Sequence, residues 1–414
     1  MNKPKIQFIL NISPLKWVLL GFLISYLFFF IRPIFFSSNT MQFLIYVPAI
    51  NPIGIDLKQI LSYSESWFIF KHTPYIGGNL YPPLATIFFT PFLFINFSLA
   101  YKFVTLVSVF CYIMMTFAFP YWISKGGKVS PLLMLFFVTG LFSYGFQFEL
   151  ERGQFNVIAM FLCLFAIWIY HYKNNYRYLA YFLFIISVQL KIFPFIYIFM
   201  FITDWHDWEK NIKRFLALSI LNFALFFILG FKIFFDFIVA IKAQTIHPYI
   251  WTGNHSIRSF VKLFNDFVSK KGWTWINQYS GLVQLLLVAI TCVCIFLIIF
   301  LLYRKRENGI NPYLLLACTI GALILPSVSH DYKLSILTAP VAVLMLDKHF
   351  FSLKGLRLHQ HIFSISMIFI ISFAYFSTLF SYTNKPSIIT NNFPALMTIL
   401  LATTFLFLVN ERKH

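Results

Sequence analysis

Long apolar runs alternate with short polar segments along the whole chain. The runs near 281–302 and 394–409 are typical, and basic residues follow each of them. A helix needs about 20 apolar residues to cross a bilayer, and basic residues gather in cytoplasmic loops. The pattern predicts about twelve membrane spans, with both termini in the cytoplasm.

Two runs depart from this simple pattern. The run over 82–123 is broken at Pro91 and near Asn96, which predicts either two spans or one span plus a short membrane-embedded helix. The run over 178–202 carries Lys191 and Pro194 at its centre. A charge at mid-membrane costs roughly 2.5 to 3.5 kcal/mol unless it has a partner, so we predict two short helices that meet near Lys191.

Three polar segments fall on the outer side in this topology. The first covers about 37–81, a short one covers 147–156, and a long one covers 232–280. Within the last, the amphipathic patch at 233–241 predicts a helix that lies along the membrane surface. The predicted fold class is an all-α integral membrane protein. It is a single polytopic domain over 1–414, with juxtamembrane helices in its two long outer loops.

Composition agrees with a membrane protein and limits the possible partners. The chain is 60% hydrophobic and only 11% charged, and its mean hydropathy is +0.78. These values lie outside the range of soluble domains. The formal net charge of +19 would suggest nucleic acid in a soluble protein, but here membrane topology accounts for much of it. We therefore predict a lipid bilayer and no nucleic acid as partner.

Cofactor motifs are missing from the sequence. The cysteines all lie in apolar runs, and Cys292 and Cys294 form a lone C-x-C pair without a nearby histidine, so a zinc site is not supported. No G-x-x-x-x-G-K motif occurs, which argues against an ATP-driven pump. We predict no bound cofactor or metal.

Few acids are available for outer-face chemistry. Of 13 acidic residues, the topology leaves these on the outer side: Asp56, Glu65, Glu149, Glu151, Asp236, Asp266 and Asp331. A general base must be one of these or a histidine. Asp56 is a candidate, although Asp56 and Gln59 also fit a helix capping box, so a cap and a base remain alternatives. Glu65 lies half a helical turn round from Asp56 and would face away from it.

Cations on the outer side suggest a phosphate site. Arg152 and Lys191 fall in tight outer turns, and with Lys333 they can form a phosphate-binding pocket. The alternative for Arg152 is a salt bridge with Glu149 or Glu151.

Two polar clusters accompany these cations. His330, Asp331 and Lys333 lie in a short loop, where ionisable groups are expensive unless they are used or paired. The cluster from Asn254 to Arg258, which includes His255, suits a sugar or phosphate but equally suits a surface turn.

The order of short motifs resembles a known family. The motifs are Gly-Ile-Asp-Leu at 54–57, Thr-Pro-Tyr at 73–75, Tyr-Pro-Pro-Leu at 81–84, Arg-Gly-Gln-Phe-Asn at 152–156, Gln-Leu-Lys-Ile-Phe-Pro at 189–194, Asn-His-Ser-Ile-Arg at 254–258 and Pro-Ser-Val-Ser-His-Asp-Tyr at 326–332. The set resembles glycosyltransferase family 87. That group consists of membrane enzymes of the GT-C fold that use polyprenyl-phosphate sugars, typically polyprenyl-phosphate mannose. The ordered set is more specific than any single motif.

The resemblance implies roles for individual residues. Asp56 would be the catalytic base that takes a proton from the acceptor hydroxyl, with inversion at the sugar carbon. The implied donor-binding residues are Arg152, Gln154, Lys191 and His330, joined by Lys333 on the charge argument. We also predict that Tyr75, Tyr81, Asn254, His255, Arg258 and Asp331 bind substrate. Some GT-C members use paired acids and a metal, but no acid adjoins Asp56, so a divalent metal is not predicted.

The resulting hypothesis is a hexosyltransferase of the bacterial inner membrane. It would move a hexosyl residue, with mannose implied by the resemblance, from a polyprenyl-phosphate sugar to a glycolipid or glycan acceptor at the periplasmic or exterior face. A lipid-linked saccharide transporter or flippase is an alternative, because transporters place charge in broken helices such as the one at Lys191. A polysaccharide ligase or polymerase is another, since these enzymes also carry a large outer loop with Arg and His.

Overall fold

The structure is a computed structural model that describes residues 53–75, 77–123, 140–141, 143–246, 250, 253–305, 309–344 and 393–410. The spans predicted at about 15–36 and 362–380 lie outside the described residues. The described part is helical and contains no strand, only an isolated antiparallel bridge between Asn254 and His330. The all-α prediction is therefore confirmed for this part of the chain.

The helices vary widely in length. In chain order they are α1 (Ile55–Phe68), α2 (Pro83–Phe89), α3 (Phe97–Ile113), α4 (Phe119–Ile123), α5 (Tyr144–Arg152), α6 (Asn156–Tyr172), α7 (Arg177–Leu190), α8 (Trp208–Leu225), α9 (Phe231–Ile246), α10 (Ile257–Lys270), α11 (Ser280–Lys305), α12 (Pro312–Ile324), α13 (Thr338–Leu344) and α14 (Phe393–Asn410). Short 3-10 helices cover Thr90–Phe94, Asn174–Tyr176, Phe193–Met200, Thr274–Tyr279 and Asp331–Leu337.

Two described helices are long and apolar enough to cross a bilayer. They cover Phe97–Ile123 and Asn277–Arg304, and a third candidate is the bent pair Gly145–Arg152 and Asn156–Tyr172. The protein is thus a membrane protein, while the total of about twelve spans remains a prediction from the charge pattern. The long run over 82–123 forms one long helix, preceded by the short α2 and its 3-10 extension.

Local sequence explains how the long helix Phe97–Ile123 begins and where it is irregular. The Asn96 side chain accepts a hydrogen bond from the Leu99 amide at 2.8 Å and so caps the first turn. A π-helical turn over Met114–Ala118 separates α3 from α4. Pro120 lies two residues after this turn, and a proline inside a helix removes one backbone hydrogen bond and crowds the preceding turn.

The core of the described part lies around α12. Every residue of α12 from Tyr313 to Ile324 is buried, as expected for a helix that is apolar on all sides. Helices α6 and α7 pack closely against each other, and the 3-10 helix Phe193–Met200 packs against α12. Gly321 permits this packing, because a Cβ atom there would lie 2.4 Å from the Ile196 side chain.

The break predicted at Lys191 is confirmed. Helix α7 ends at Leu190, Lys191 has extended backbone, and a 3-10 helix begins at Phe193 with Pro194 in its first turn. The surface helix predicted at 233–241 is part of α9.

The outer segment predicted at 147–156 contains the end of one helix and the start of the next. Helix α5 continues to Arg152 and ends at Gly153, and the chain then bends by 112° into α6. The left-handed backbone of Gly153, with φ of 67°, produces this end.

Two glycines bring α1 against this bend. Gly54 has φ of 70°, and its amide donates to the Glu151 carbonyl at 2.7 Å. A Cβ on Gly153 would lie 2.8 Å from the Leu57 Cβ, and a Cβ on Gly54 would lie 2.7 Å from Tyr101 Cδ2. Only glycine fits both positions, so the start of α1 is fixed next to the residues that follow Gly153.

We predict that Gly153→Ala destabilises the protein by about 2–5 kcal/mol. The alanine would adopt a left-handed conformation, which costs about 1–2 kcal/mol, and would also overlap Leu57. Gly230→Ala is the matched control, because Gly230 also has positive φ but a Cβ added there would meet no atom within 4 Å. Denaturant unfolding in detergent micelles measures both, and equal destabilisation in the two variants would contradict the close approach.

Candidate active site

A cavity of about 830 Å³ opens between the start of α1, the bend after α5, the break after α7 and the loop before the 3-10 helix Asp331–Leu337. Its wall carries most of the residues that the sequence singled out. These are Asp56, Tyr81, Arg152, Gln154, Lys191, Arg258, His330 and Lys333. In the described part of the chain, residues more than 200 positions apart in the sequence thus line the same cavity.

Asp56 is placed on the cavity wall by the contact between α1 and the bend. The cap residue of α1 is Gly54, which contributes no side-chain hydrogen bond, and Asp56 lies in the first helical turn. The predicted capping box is therefore wrong. A carboxylate in the first turn interacts favourably with the helix dipole while its oxygens stay available to the cavity.

Gln154 joins a carboxylate to an ammonium group. Its Nε2 donates to Asp56 Oδ2 at 2.6 Å and to the Tyr81 hydroxyl at 3.2 Å, and its Oε1 accepts from Lys191 Nζ at 2.8 Å. The Gln154 side chain is buried, and the cation at one end and the anion at the other fix which way its amide points.

Arg152 contacts two acids. Its Nη1 lies 3.7 Å from Asp56 Oδ1, and its Nε lies 3.4 Å from Glu151 Oε2. The salt-bridge alternative thus holds for Glu151 but not for Glu149, and Arg152 pairs with the candidate base as well. The guanidinium also stacks over Phe148, 4.9 Å from the ring centroid, and remains partly exposed to the cavity.

Two lysines reach the cavity through aromatic surroundings. Lys191 Nζ lies 4.3 Å from the ring centroids of both Tyr81 and Phe155. Lys333 Nζ donates to the Ala322 carbonyl at 2.7 Å and lies 4.8 Å from the Phe193 ring centroid. With Arg152 they present three basic side chains to the cavity, a suitable set for a phosphate group.

Burial determines the protonation of two polar side chains at the wall. It raises the pKa of Tyr81, and the Asp56 carboxylate raises it further, so Tyr81 remains a neutral phenol. Burial also lowers the pKa of His330 to about 3, with a further contribution from the positive charge of Arg152. His330 is therefore a neutral imidazole at physiological pH and can offer a hydrogen bond to a ligand but no charge.

Four predicted substrate-binding residues lie behind the wall. Tyr75 packs on Phe237 at 5.3 Å, and its hydroxyl donates to the Tyr81 carbonyl at 3.0 Å. Asn254, His255 and Asp331 are buried. Their contacts hold the chain next to the cavity.

These contacts fasten α10 to the loop that carries His330. His255 Nε2 lies 2.5 Å from Asp331 Oδ1, and the His255 amide donates to the Ser329 carbonyl at 2.7 Å. Asn254 Oδ1 accepts from the Ser329 amide at 3.1 Å. Arg258, the second residue of α10, does line the cavity and donates to the Ile246 carbonyl at 3.2 Å.

Glu149 is a residue whose importance the sequence did not reveal. Its side chain is fully buried, Oε1 accepts from the Val157 amide at 2.7 Å, and Oε2 accepts from the Ser335 hydroxyl at 2.7 Å. It therefore stabilises the bend between α5 and α6 and attaches it to the 3-10 helix Asp331–Leu337. The Glu149 carboxylate also attracts the Lys191 amino group electrostatically. The available signal was an acid in a mostly apolar run just before a helix-ending glycine.

No group of three or more His, Cys, Asp and Glu side chains suited to metal binding occurs in the described ranges. Gln59, Tyr63 and Tyr332 also line the cavity, although the sequence did not predict them as site residues.

We predict that Glu149→Leu destabilises the protein by about 1–3 kcal/mol for each buried donor that loses its partner. Ser335→Ala removes only one of these two hydrogen bonds and should cost about 1 kcal/mol. Denaturant unfolding in micelles compares the two variants. A Glu149→Leu protein as stable as the wild type would show that the carboxylate does not support the bend.

His330 should make the protein less stable in acid. The unfolded chain protonates this histidine near its ordinary pKa of about 6.5, whereas the folded protein resists protonation until about pH 3. The stabilising effect is complete above pH 6.5 and is lost as the pH falls towards 3. Wild type should thus lose more stability than His330→Gln between pH 7 and pH 5. Parallel pH profiles of the two unfolding midpoints would contradict a buried neutral His330.

No curated protein matches the chain. A family model described as Glycosyltransferase family 87 matches residues 79–327. The match covers more than half of the chain and includes Arg152, Gln154, Lys191 and Arg258. It stops just before His330 and begins after Asp56, which reaches the same cavity through the contact of α1 with the bend. The chain belongs to glycosyltransferase family 87 and is a membrane glycosyltransferase.

Proposed function

We propose that the protein transfers a hexosyl residue, specifically mannosyl, from a polyprenyl-phosphate sugar to a hydroxyl of a glycolipid or glycan acceptor. The observation that carries this proposal is the chain of hydrogen bonds from Asp56 through Gln154 to Lys191. It joins a candidate base and a phosphate-binding cation in one cavity. A sugar bound there would have the acceptor on its Asp56 side and the phosphate near the lysines.

The proposed reaction is a single displacement with inversion. The acceptor oxygen attacks the anomeric carbon while Asp56 takes the hydroxyl proton, and the bond from that carbon to the phosphate oxygen breaks. The electron pair of this bond leaves with the polyprenyl phosphate. One base is enough for this scheme, and Asp56 is the one carboxylate on the described cavity wall.

The cations provide the other requirement of the reaction. Negative charge increases on the phosphate as it leaves, and preorganised donors facing that position lower the barrier. Lys191, Lys333 and Arg152 are held in place by the contacts described above, so they need little reorganisation. The neutral His330 can add a hydrogen bond.

The cavity wall also fits a lipid-borne donor. Gln284 and Val288 line it, and both belong to the membrane-crossing helix Asn277–Arg304. A donor whose polyprenyl chain stays in the bilayer can therefore present its phosphate to the cavity. We place this face on the periplasmic or exterior side, on the basis of the basic loops at the opposite ends of the predicted spans.

The helix break at Lys191 supports a transporter less well than it supports a transferase. In a transporter the charge at Lys191 would serve a passage through the bundle, whereas here Lys191 donates to Gln154 and is linked to Asp56. The family match also favours transfer over transport. The ligase and polymerase alternatives have no separate observation in their favour.

We predict that Asp56→Asn lowers the transfer rate by about 10²–10⁴-fold and leaves donor binding largely intact, because asparagine keeps the shape but cannot accept the proton. Glu65→Gln is the matched control, since Glu65 is on the same helix but not on the cavity wall. The assay is incubation of purified protein with polyprenyl-phosphate mannose and its analogues, followed by mass analysis of extracted glycolipids.

Full activity in Asp56→Asn would exclude Asp56 as the base. Movement of sugar across reconstituted vesicles without any glycosyl product would favour the transporter.

A further inference from the structure

The segment over 231–279 exposes several positive charges. Its lysines are all exposed, and none takes part in the described salt bridges: Lys232, Lys242, Lys262, Lys270 and Lys271. Only Asp236 and Asp266 oppose them within the segment. Helices α9 and α10 also contribute wall residues to the cavity, including Ile241 and Arg258. The segment that carries the excess charge therefore also contributes to the cavity wall.

Exposed aromatic side chains accompany the last two of these lysines. Trp273 is 57% exposed, Trp275 is 64% exposed and Tyr279 is 45% exposed. They directly precede or begin the membrane-crossing helix Asn277–Arg304. Tryptophan and tyrosine at the end of a span lie at the level of the lipid headgroups.

Hydrogen bonds give this turn a defined shape. The Trp273 amide donates to the Val268 carbonyl at 3.0 Å, and the Asn277 side chain donates to the Ser269 hydroxyl at 2.7 Å. Gly272, with φ of 83°, allows the chain to reverse between α10 and the next 3-10 helix. The lysines and tryptophans are therefore presented together.

Helix α9 offers an apolar face in the same region. Its exposed large side chains recur at helical spacing: Phe231, Phe235, Ile238, Val239 and Ile246. A different face of the helix buries Phe234 and Phe237. A helix with one face on the protein and an exposed apolar stripe on another is suited to the surface of a bilayer.

We propose that Lys270, Lys271, Trp273, Trp275 and Tyr279 form a binding site for the anionic headgroups of phospholipids in the leaflet on the cavity side. The lysines supply charge for the phosphate groups, and the aromatic rings supply contacts at the depth of the headgroups. A soluble acidic partner would match the charge but not the position of the rings at the end of a span.

Headgroup binding would have a structural consequence. Helix α10, which ends at Lys270, begins with the cavity residues Ile257 and Arg258, so anionic lipid bound at its end would also tether this part of the wall to the bilayer. The site rests on charge, exposure and its position at the end of a span. It therefore does not depend on the reaction proposed for Asp56.

The test uses the full chain reconstituted in bilayers, with tryptophan fluorescence quenched by brominated phosphatidylglycerol or brominated phosphatidylcholine. Wild type should be quenched at lower mole fractions of phosphatidylglycerol. Lys270→Gln/Lys271→Gln should reduce that preference by about fivefold for each lysine, and added salt should weaken it in the wild type. Lys58→Gln/Lys102→Gln is the matched control, since both lysines are exposed on other helices, and it should keep the preference.

A second variant separates charge from aromatic contact. Trp273→Ala/Trp275→Ala should reduce quenching by both lipids, because these rings report the contact. Equal quenching of the wild type by the two lipids would overturn the proposal, and so would an unchanged preference in Lys270→Gln/Lys271→Gln. Lysine-dependent binding of soluble dextran sulfate without any lipid preference would identify an acidic polymer as the partner instead.

Discussion

The Gln154 amide allows opposite charges to remain together inside a largely apolar protein. Asp56 and Lys191 would each be costly to bury alone, because a buried charge loses its hydration. Gln154 gives each of them a hydrogen bond of suitable polarity and lies between them. The position of Gln154 is therefore the constraint on which the candidate site depends. The position of Gln154 follows directly from the end of helix α5 at Gly153, the residue just before it.

Irregular backbone supplies the remaining parts of the site. The end of α5 at Gly153 and the extended Lys191 border the same cavity. Backbone outside helices is tolerated at membrane depth only where protein or a water-filled cavity surrounds it. Buried polar residues on the side away from the cavity hold these segments in place. Glu149, for example, links the bend to Ser335. A site supported in this way keeps its donors in place during a reaction, which is the condition for electrostatic catalysis.

The sequence by itself determined the class of the protein and several local features. Apolar run lengths indicated membrane helices, Pro194 and the charge of Lys191 located a break, and ordered motifs pointed to the family. These features depend on composition and spacing over short stretches. Such signals can be recognised without knowledge of the tertiary fold.

Only the tertiary structure decided which side chains meet. In the structure Gly54 is the cap residue of α1, and Arg152 pairs with Glu151 and Asp56. Tyr75 lies behind the cavity wall and does not line it. The hydrogen bond between Asp56 and Gln154 joins residues 98 positions apart, and that between Glu149 and Ser335 joins residues 186 apart. No local pattern encodes such pairs, because they follow from how helices pack and bend. For the same reason the protonation of His330 could not be read from the sequence, since it depends on burial and on the charges that the fold gathers around it.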